Sequence, residues 1–172
     1  MRAPLTALIL TLTASTGKPD TASGAEDTAD SGGATGEDAG GPVTGRLALP
    51  FAIDTDHRDL MEEEAIGPFW GSFYDAGDVT GVGPNDGAES LGSIYVEEVD
   101  VRGEPTGVLF TSEDLTAEKV FVLGFLDSDG NAVPDAEGPD EKDPVTLPGD
   151  NRFTLVEGET TEVQVLFGLL NP

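Results

Sequence analysis

The chain contains no cysteine. That excludes disulfide staples, cysteine nucleophiles and zinc–thiolate sites. It has a single histidine, His57, and a single tryptophan, and aromatic residues are only 6% of its 172 positions. One histidine cannot supply the paired imidazoles of a catalytic zinc centre. Basic side chains are also scarce: 8 Lys and Arg stand against 34 Asp and Glu, for a net charge of −26. Such a surface repels phosphates and anionic lipid heads and attracts cations and basic partners, which removes nucleic acid as a ligand. No apolar run is long enough to make a stable transmembrane span, the longest being about ten residues. With 37% hydrophobic residues, the chain can bury one modest core over part of its length.

That longest run lies in residues 1–15, where Arg2 precedes Leu5, Leu8, Ile9, Leu10 and Leu12. Its length and its flanks read as a signal-peptide-like segment, so export is expected. Leu12-Thr13-Ala14-Ser15 resembles the end of a bacterial lipoprotein signal, with Ser15 where the lipidated Cys would stand. A serine hydroxyl cannot take a thioether-linked lipid, so a membrane tether through the N-terminus is left open. Residues 16–44 are Gly, Ala, Ser, Thr, Asp, Glu, Lys and Pro with Val43 the one larger apolar side chain. Such a stretch cannot bury enough surface to offset the entropy of ordering it and reads as a disordered acidic linker.

From residue 45 to 172 the pattern becomes that of strands. Residues 161–167 alternate, with Val163, Val165 and Phe167 on one face and Glu162 and Gln164 on the other, as in a half-buried strand. Residues 119–125 are apolar on both faces and read as a central strand. Residues 93–101 change phase at Glu97-Glu98, the mark of a β-bulge. Shorter strands are expected at 46–53, 66–73, 107–111 and 152–156, and one short helix at 56–65 with Asp56 as its N-cap. About seven strands without crossover helices give an all-β chain folded as an antiparallel β-sandwich.

The densest chemistry lies after the central strand. Counted from Asp127, oxygen donors recur at alternate positions: Asp127, Asp129, Asn131, the carbonyl of Val133, and Asp135. This is the spacing by which a tight turn aims ligands at one hard cation, calcium above all. Ala132 replaces the glycine an EF-hand needs at position 6, and Gly138 stands where its bidentate Glu would be. A strand leads in and Pro134 and Pro139 follow, so the loop is no EF-hand. Its last ligand is expected from Asp143, with Asp140 or Glu137 as alternatives. Residues 127–143 hold seven carboxylates and one lysine. Two carboxylates about 5 Å apart repel by roughly 1 kcal/mol in water and by several-fold more inside a protein. The competing reading is a solvated turn in which Asp, Asn and Gly merely serve turn geometry.

Residues 113–127 (Glu-Asp-Leu-Thr-Ala-Glu-Lys-Val-Phe-Val-Leu-Gly-Phe-Leu-Asp) and then Gly149-Asp150-Asn151-Arg152-Phe153 resemble the prealbumin-like modules, also called transthyretin-like or carboxypeptidase-regulatory-like. Thr116-Ala117-Glu118 departs from their usual Pro-Gly, and no Tyr stands in the strand. The resemblance implies a β-sandwich that serves as a non-catalytic accessory on a secreted or surface protein.

Three further features have bland alternatives. His57 sits among Asp54, Asp56 and Asp59 without a recognisable nucleophile motif, and reads as an exposed residue of the short helix. Trp70 and Tyr74, in Phe69-Trp70-Gly71-Ser72-Phe73-Tyr74, would suit stacking on sugars or a protein partner if they faced solvent. Otherwise Phe69, Trp70 and Phe73 simply build the core. Asp75, Asp78, Asn85, Asp86 and Glu89 read as solvated turns more readily than as a second cation site. The expectation is therefore a non-catalytic exported or envelope module with a calcium loop and an unknown extracellular partner. The acidity by itself would equally suit life in strong brine.

Overall fold

The computed structural model describes residues 41–61, 63–133 and 138–172. The signal-like segment, the linker through residue 40, and Asp135 lie outside the described residues. Strand β1 (Val43–Leu49) begins inside the stretch read as linker, and β2 (Phe51–Ile53) follows after Pro50. A four-residue helix, α1 (Arg58–Met61), takes the place of the ten-residue helix expected. The helix starts at Arg58, directly after His57, so Asp56 does not serve as N-cap; the entry turn is held by Asp54, whose Oδ1 accepts the Asp56 amide at 2.8 Å. Then come β3 (Ile66–Asp75), a 3-10 turn, and a small hairpin of β4 (Val79–Thr80) and β5 (Gly83–Pro84). They are followed by β6 (Gly92–Asp100), β7 (Phe110–Thr111), β8 (Leu115–Ala117) and β9 (Lys119–Leu126). The chain closes with β10 (Pro144–Thr146), β11 (Arg152–Thr154), β12 (Thr160–Glu162) and β13 (Val165–Leu170).

The fold is nearly all β, with curled sheets in a sandwich-like arrangement. One sheet runs β12-β1-β7, with β8 also on β1. The larger runs β2-β13-β10-β9-β3-β6, with β11 also on β9. Strand β9 is central, with β3 along one edge and β10 and β11 sharing the other. Its inward residues Val120, Val122 and Leu126 are in the core. Between Val99 and Val96, β6 spans three residues while β3 spans two, from Gly67 to Phe69. The extra residue is at Glu97-Glu98, where the phase of the sequence slips.

The run 161–167 is not one strand. Strand β12 pairs with β1 and β13 with β2, and these two pairings are parallel whereas the others are antiparallel. The first and last strands cross from one sheet to the other side by side. Val163 donates to the Ala48 carbonyl and Val165 to the Pro50 carbonyl, each at 2.9 Å. Pro50 lacks an N–H and interrupts the ladder at the crossing. Alternation in the sequence is unbroken through that point, because both sheets keep their apolar side toward one core.

Phe51, Phe69 and Phe167 meet at the centre of that core, with ring centroids 4.9 to 6.2 Å apart. The Phe69 ring lies against the cross-strand pair Gly71 and Gly124. A Cβ on Gly124 would stand 2.7 Å from the ring and 2.3 Å from the Trp70 carbonyl oxygen. Glycine is required there by close approach, and the large ring covers what the two glycines leave bare.

Candidate functional site

The loop that follows β9 is seated at both ends. At its start the Asp127 amide donates to the Pro68 carbonyl at 2.9 Å, beside Gly67. Gly67 has φ of +147°, and a Cβ there would fall 2.1 Å from the Asp127 carbonyl oxygen. At its far end Asn171 donates through Nδ2 to the carbonyls of Pro139 and Asp140, at 2.9 and 2.8 Å. The Asn171 amide donates to the Asp143 carbonyl at 2.9 Å. The loop therefore bridges the start of β3 and the end of β13.

Asp127 and Asp143 are 2% and 3% exposed, which is rare for carboxylates. Asp127 Oδ1 accepts the amides of Gly130 and Asn131, and Oδ2 accepts that of Ala132. Asp143 Oδ1 accepts both the amide and the hydroxyl of Ser128, and Oδ2 accepts the Asp140 amide. Asp143 thus clamps the beginning of the loop to its end across fifteen residues. Toward the described residues each carboxylate uses both lone pairs of one oxygen and one lone pair of the other, which leaves one acceptor site on each Oδ2. Neither takes part in an ion pair among the described residues.

Asp129 and Asn131 belong to the same turn but lie outward. Asp129 accepts the Asn131 amide at 3.2 Å and its Nδ2 at 2.9 Å. The Val133 side chain is exposed. Among the described residues no three acidic or histidine side chains stand together as a ready cation cage. The structure brings Asp127, Asp129 and Asn131 into one turn and sets Asp143 at its base.

A second site lies on the outer face of the large sheet. Strand β3 points Phe69 and Phe73 into the core, at 0% and 1% exposure, and turns the half-buried Trp70 and Tyr74 the other way. The core reading of this patch therefore holds for the phenylalanines and fails for Trp70. Trp70 packs on Tyr95 of β6, with centroids 4.5 Å apart and rings tilted by 51°. With Tyr74, Leu123 and Phe125 they line a cleft of about 620 Å³. Pro84 of the small hairpin and Pro139 of the acidic loop stand at its sides. Trp70 Nε1 is buried and has no acceptor among the described residues.

His57 sits 3.7 Å from Asp54 through Nδ1 and is 40% exposed at its side chain. Its Nδ1 has no hydrogen-bond partner among the described residues. The remaining ion pairs are surface contacts. Arg102 grips Asp100 with two hydrogen bonds, which hold the Asp100 carboxyl below the ordinary carboxylate range. In the Arg46–Asp114 pair, the side-chain hydrogen bond and the charge of Asp114 raise the Arg46 guanidinium further.

Two polar residues escaped the reading of the sequence as site builders. Asn151 is 0% exposed; it donates to the carbonyls of Leu147 and Leu166 and accepts the Leu166 amide. Thr146 exchanges hydrogen bonds with the backbone of Gly124 in the centre of the sheet. An Asn within Gly149-Asp150-Asn151 carries the signal of an ordinary turn, and nothing local announces its burial. No match is found among protein-family models, curated proteins or solved structures.

Proposed function

We propose that this chain is a non-catalytic module, exported or tethered to a cell envelope, that presents ligand-binding surface and takes a calcium ion in loop 127–143. The signal-like first fifteen residues and the acidic linker support the location. The all-β fold is in keeping with the prealbumin-like kinship suggested by residues 113–127 and 149–153.

The observation that carries the calcium reading is the pair of buried carboxylates, Asp127 and Asp143, with no basic partner among the described residues. Backbone amides offset part of the cost of burying them, since dipoles stabilise a carboxylate without neutralising it. Each keeps one acceptor site that no described residue fills, and Asp129 stands at the same turn. Asp135 and the Val133 carbonyl complete the donor set on this reading. Extracellular modules hold calcium at about 10⁻⁴–10⁻³ M, so the ion would be bound outside a cell and absent inside.

The test is thermal unfolding of the full chain in EDTA, in calcium and in magnesium at matched ionic strength. Calcium at a hundredfold its Kd should add about 2.7 kcal/mol, and magnesium much less, because it dehydrates reluctantly and demands stricter geometry. Asp127→Asn keeps Oδ1 as an acceptor and removes the charge, so it should abolish the calcium response. An equal response to both ions, or a calcium response that survives Asp127→Asn, would remove the loop as the site.

A second reading is a carbohydrate- or protein-binding module that uses Trp70 and Tyr74. The outward turn of both rings on β3 favours it.

A further inference from the structure

The outer face of a sandwich sheet is ordinarily polar, because water covers it. Here the outward residues of neighbouring strands are Trp70, Tyr95, Leu123, Phe125, Val145 and Leu169. Tyr95 is 49% exposed and Leu169 44%, and Val82 projects at 97% from the hairpin beside them. The cleft around Trp70 continues past Leu123, Gly124 and Phe125 into a second hollow of about 460 Å³, lined by Val145, Pro148 and Leu169. Two hollows in a row over one apolar floor suit an extended ligand better than a compact one.

Three occupants of such a face can be compared by their chemistry. A second copy of this chain would bring together two molecules of net charge −26, so like-charge repulsion opposes it. A sugar needs convergent polar side chains to read its hydroxyls, and the aromatic cleft offers two, Ser72 and Ser93, besides the Tyr hydroxyls. A basic peptide meets neither objection. Among the described residues the lining of both hollows contains no charged side chain of either sign, while the chain as a whole carries a net charge of −26. Aromatic-lined grooves accept polyproline-type peptides because these are already extended and lose little entropy on docking. Aromatic faces also attract guanidinium and ammonium groups.

We propose that this face docks a basic, proline-rich segment of a partner protein, laid along the groove from the Trp70–Tyr95 pair toward Leu169. The proposal deepens the reading of the chain as a ligand-presenting module and names the partner's chemistry. Trp70 and Tyr95 would hold the prolines, and the net negative charge of the chain would draw the Lys and Arg.

The experiment is selection of a displayed random dodecapeptide library on the full chain, in calcium and again in EDTA, beside a panel of oligosaccharides. Binding of each selected sequence is then followed through the emission of Trp70, the chain's single tryptophan. The expected winners are rich in Pro with Lys or Arg. They shift Trp70 emission, weaken as salt is raised, and bind Tyr95→Ala at least tenfold less tightly. Tyr95 is half exposed, so that substitution leaves the core intact. Selection of acidic sequences, of nothing above the Tyr95→Ala background, or saturable quenching by an oligosaccharide alone would overturn the proposal. Peptide binding that persists in EDTA upholds it even where the calcium site fails, so the two readings fall separately.

Discussion

Two polar stations flank β10, and they solve the same problem by different means. On one side, Asp127 and Asp143 hold loop 127–143 with buried carboxylates. On the other, Asn151 holds the turn between β10 and β11 with a buried amide. Asn151 is both donor and acceptor, so it satisfies two carbonyls and one N–H and is itself satisfied. It is neutral and complete. The two aspartates only accept; between them they gather five backbone amides and one hydroxyl among the described residues, which leave one acceptor site on each unfilled. A neutral station gains nothing from an ion. A charged one, with no ion-pair partner among the described residues, would gain from one.

The largest expected effect comes from making the neutral station charged. Asn151→Asp would keep the Leu166 amide as its one donor and turn its second oxygen, in place of the Nδ2 donor, against the carbonyls of Leu147 and Leu166. An uncompensated buried charge costs about 3–5 kcal/mol, and denaturant unfolding should register the loss equally in calcium and in EDTA. Gly67→Ala attacks the charged station from beneath, by forcing a Cβ against the Asp127 carbonyl at positive φ. It should destabilise by upwards of about 2 kcal/mol. It should also shrink the calcium-dependent rise in melting temperature, whereas Asn151→Asp should leave that rise intact. If both substitutions altered the calcium response alike, the two stations would not be independent.

Asp100→Asn marks the floor of the scale. The pair with Arg102 is exposed, so its loss should cost less than about 1 kcal/mol. Since Arg102 holds the Asp100 carboxyl below its ordinary range, the pair contributes above the unfolded-state value. That contribution is lost as pH falls through the lowered one. A pH series of unfolding midpoints for wild type and Asp100→Asn should therefore converge in acid, with no dependence on calcium.

Much of the fold was legible in the sequence, and the failures have physical causes. The bulge at Glu97-Glu98 was readable because one extra residue inverts the alternation. The centrality of β9 was readable because both its faces are apolar. The division of 161–167 into β12 and β13 was hidden, since a strand that changes sheets keeps the same inward face. The outward turn of Trp70 was in fact encoded by the alternation of Phe69 and Phe73, but an aromatic-poor chain invites the assumption that every ring is core. In the loop, the spacing of Asp127, Asp129 and Asn131 marked a real turn. The clamp of Asp143 onto Ser128 was not visible, because it depends on a contact fifteen residues away. Asn151 was hidden for the same reason: burial of a turn residue is decided by β13, which packs over it.

The most direct measurement is calorimetric titration of calcium into the EDTA-stripped full chain, with Asp127→Asn and Asp143→Asn alongside. One ion bound per wild-type chain, and none detectable in either variant, is the expected result. No binding to the wild type, or unchanged binding to the variants, would mean that the buried carboxylates are complete with their amides and that the loop is a turn and nothing more.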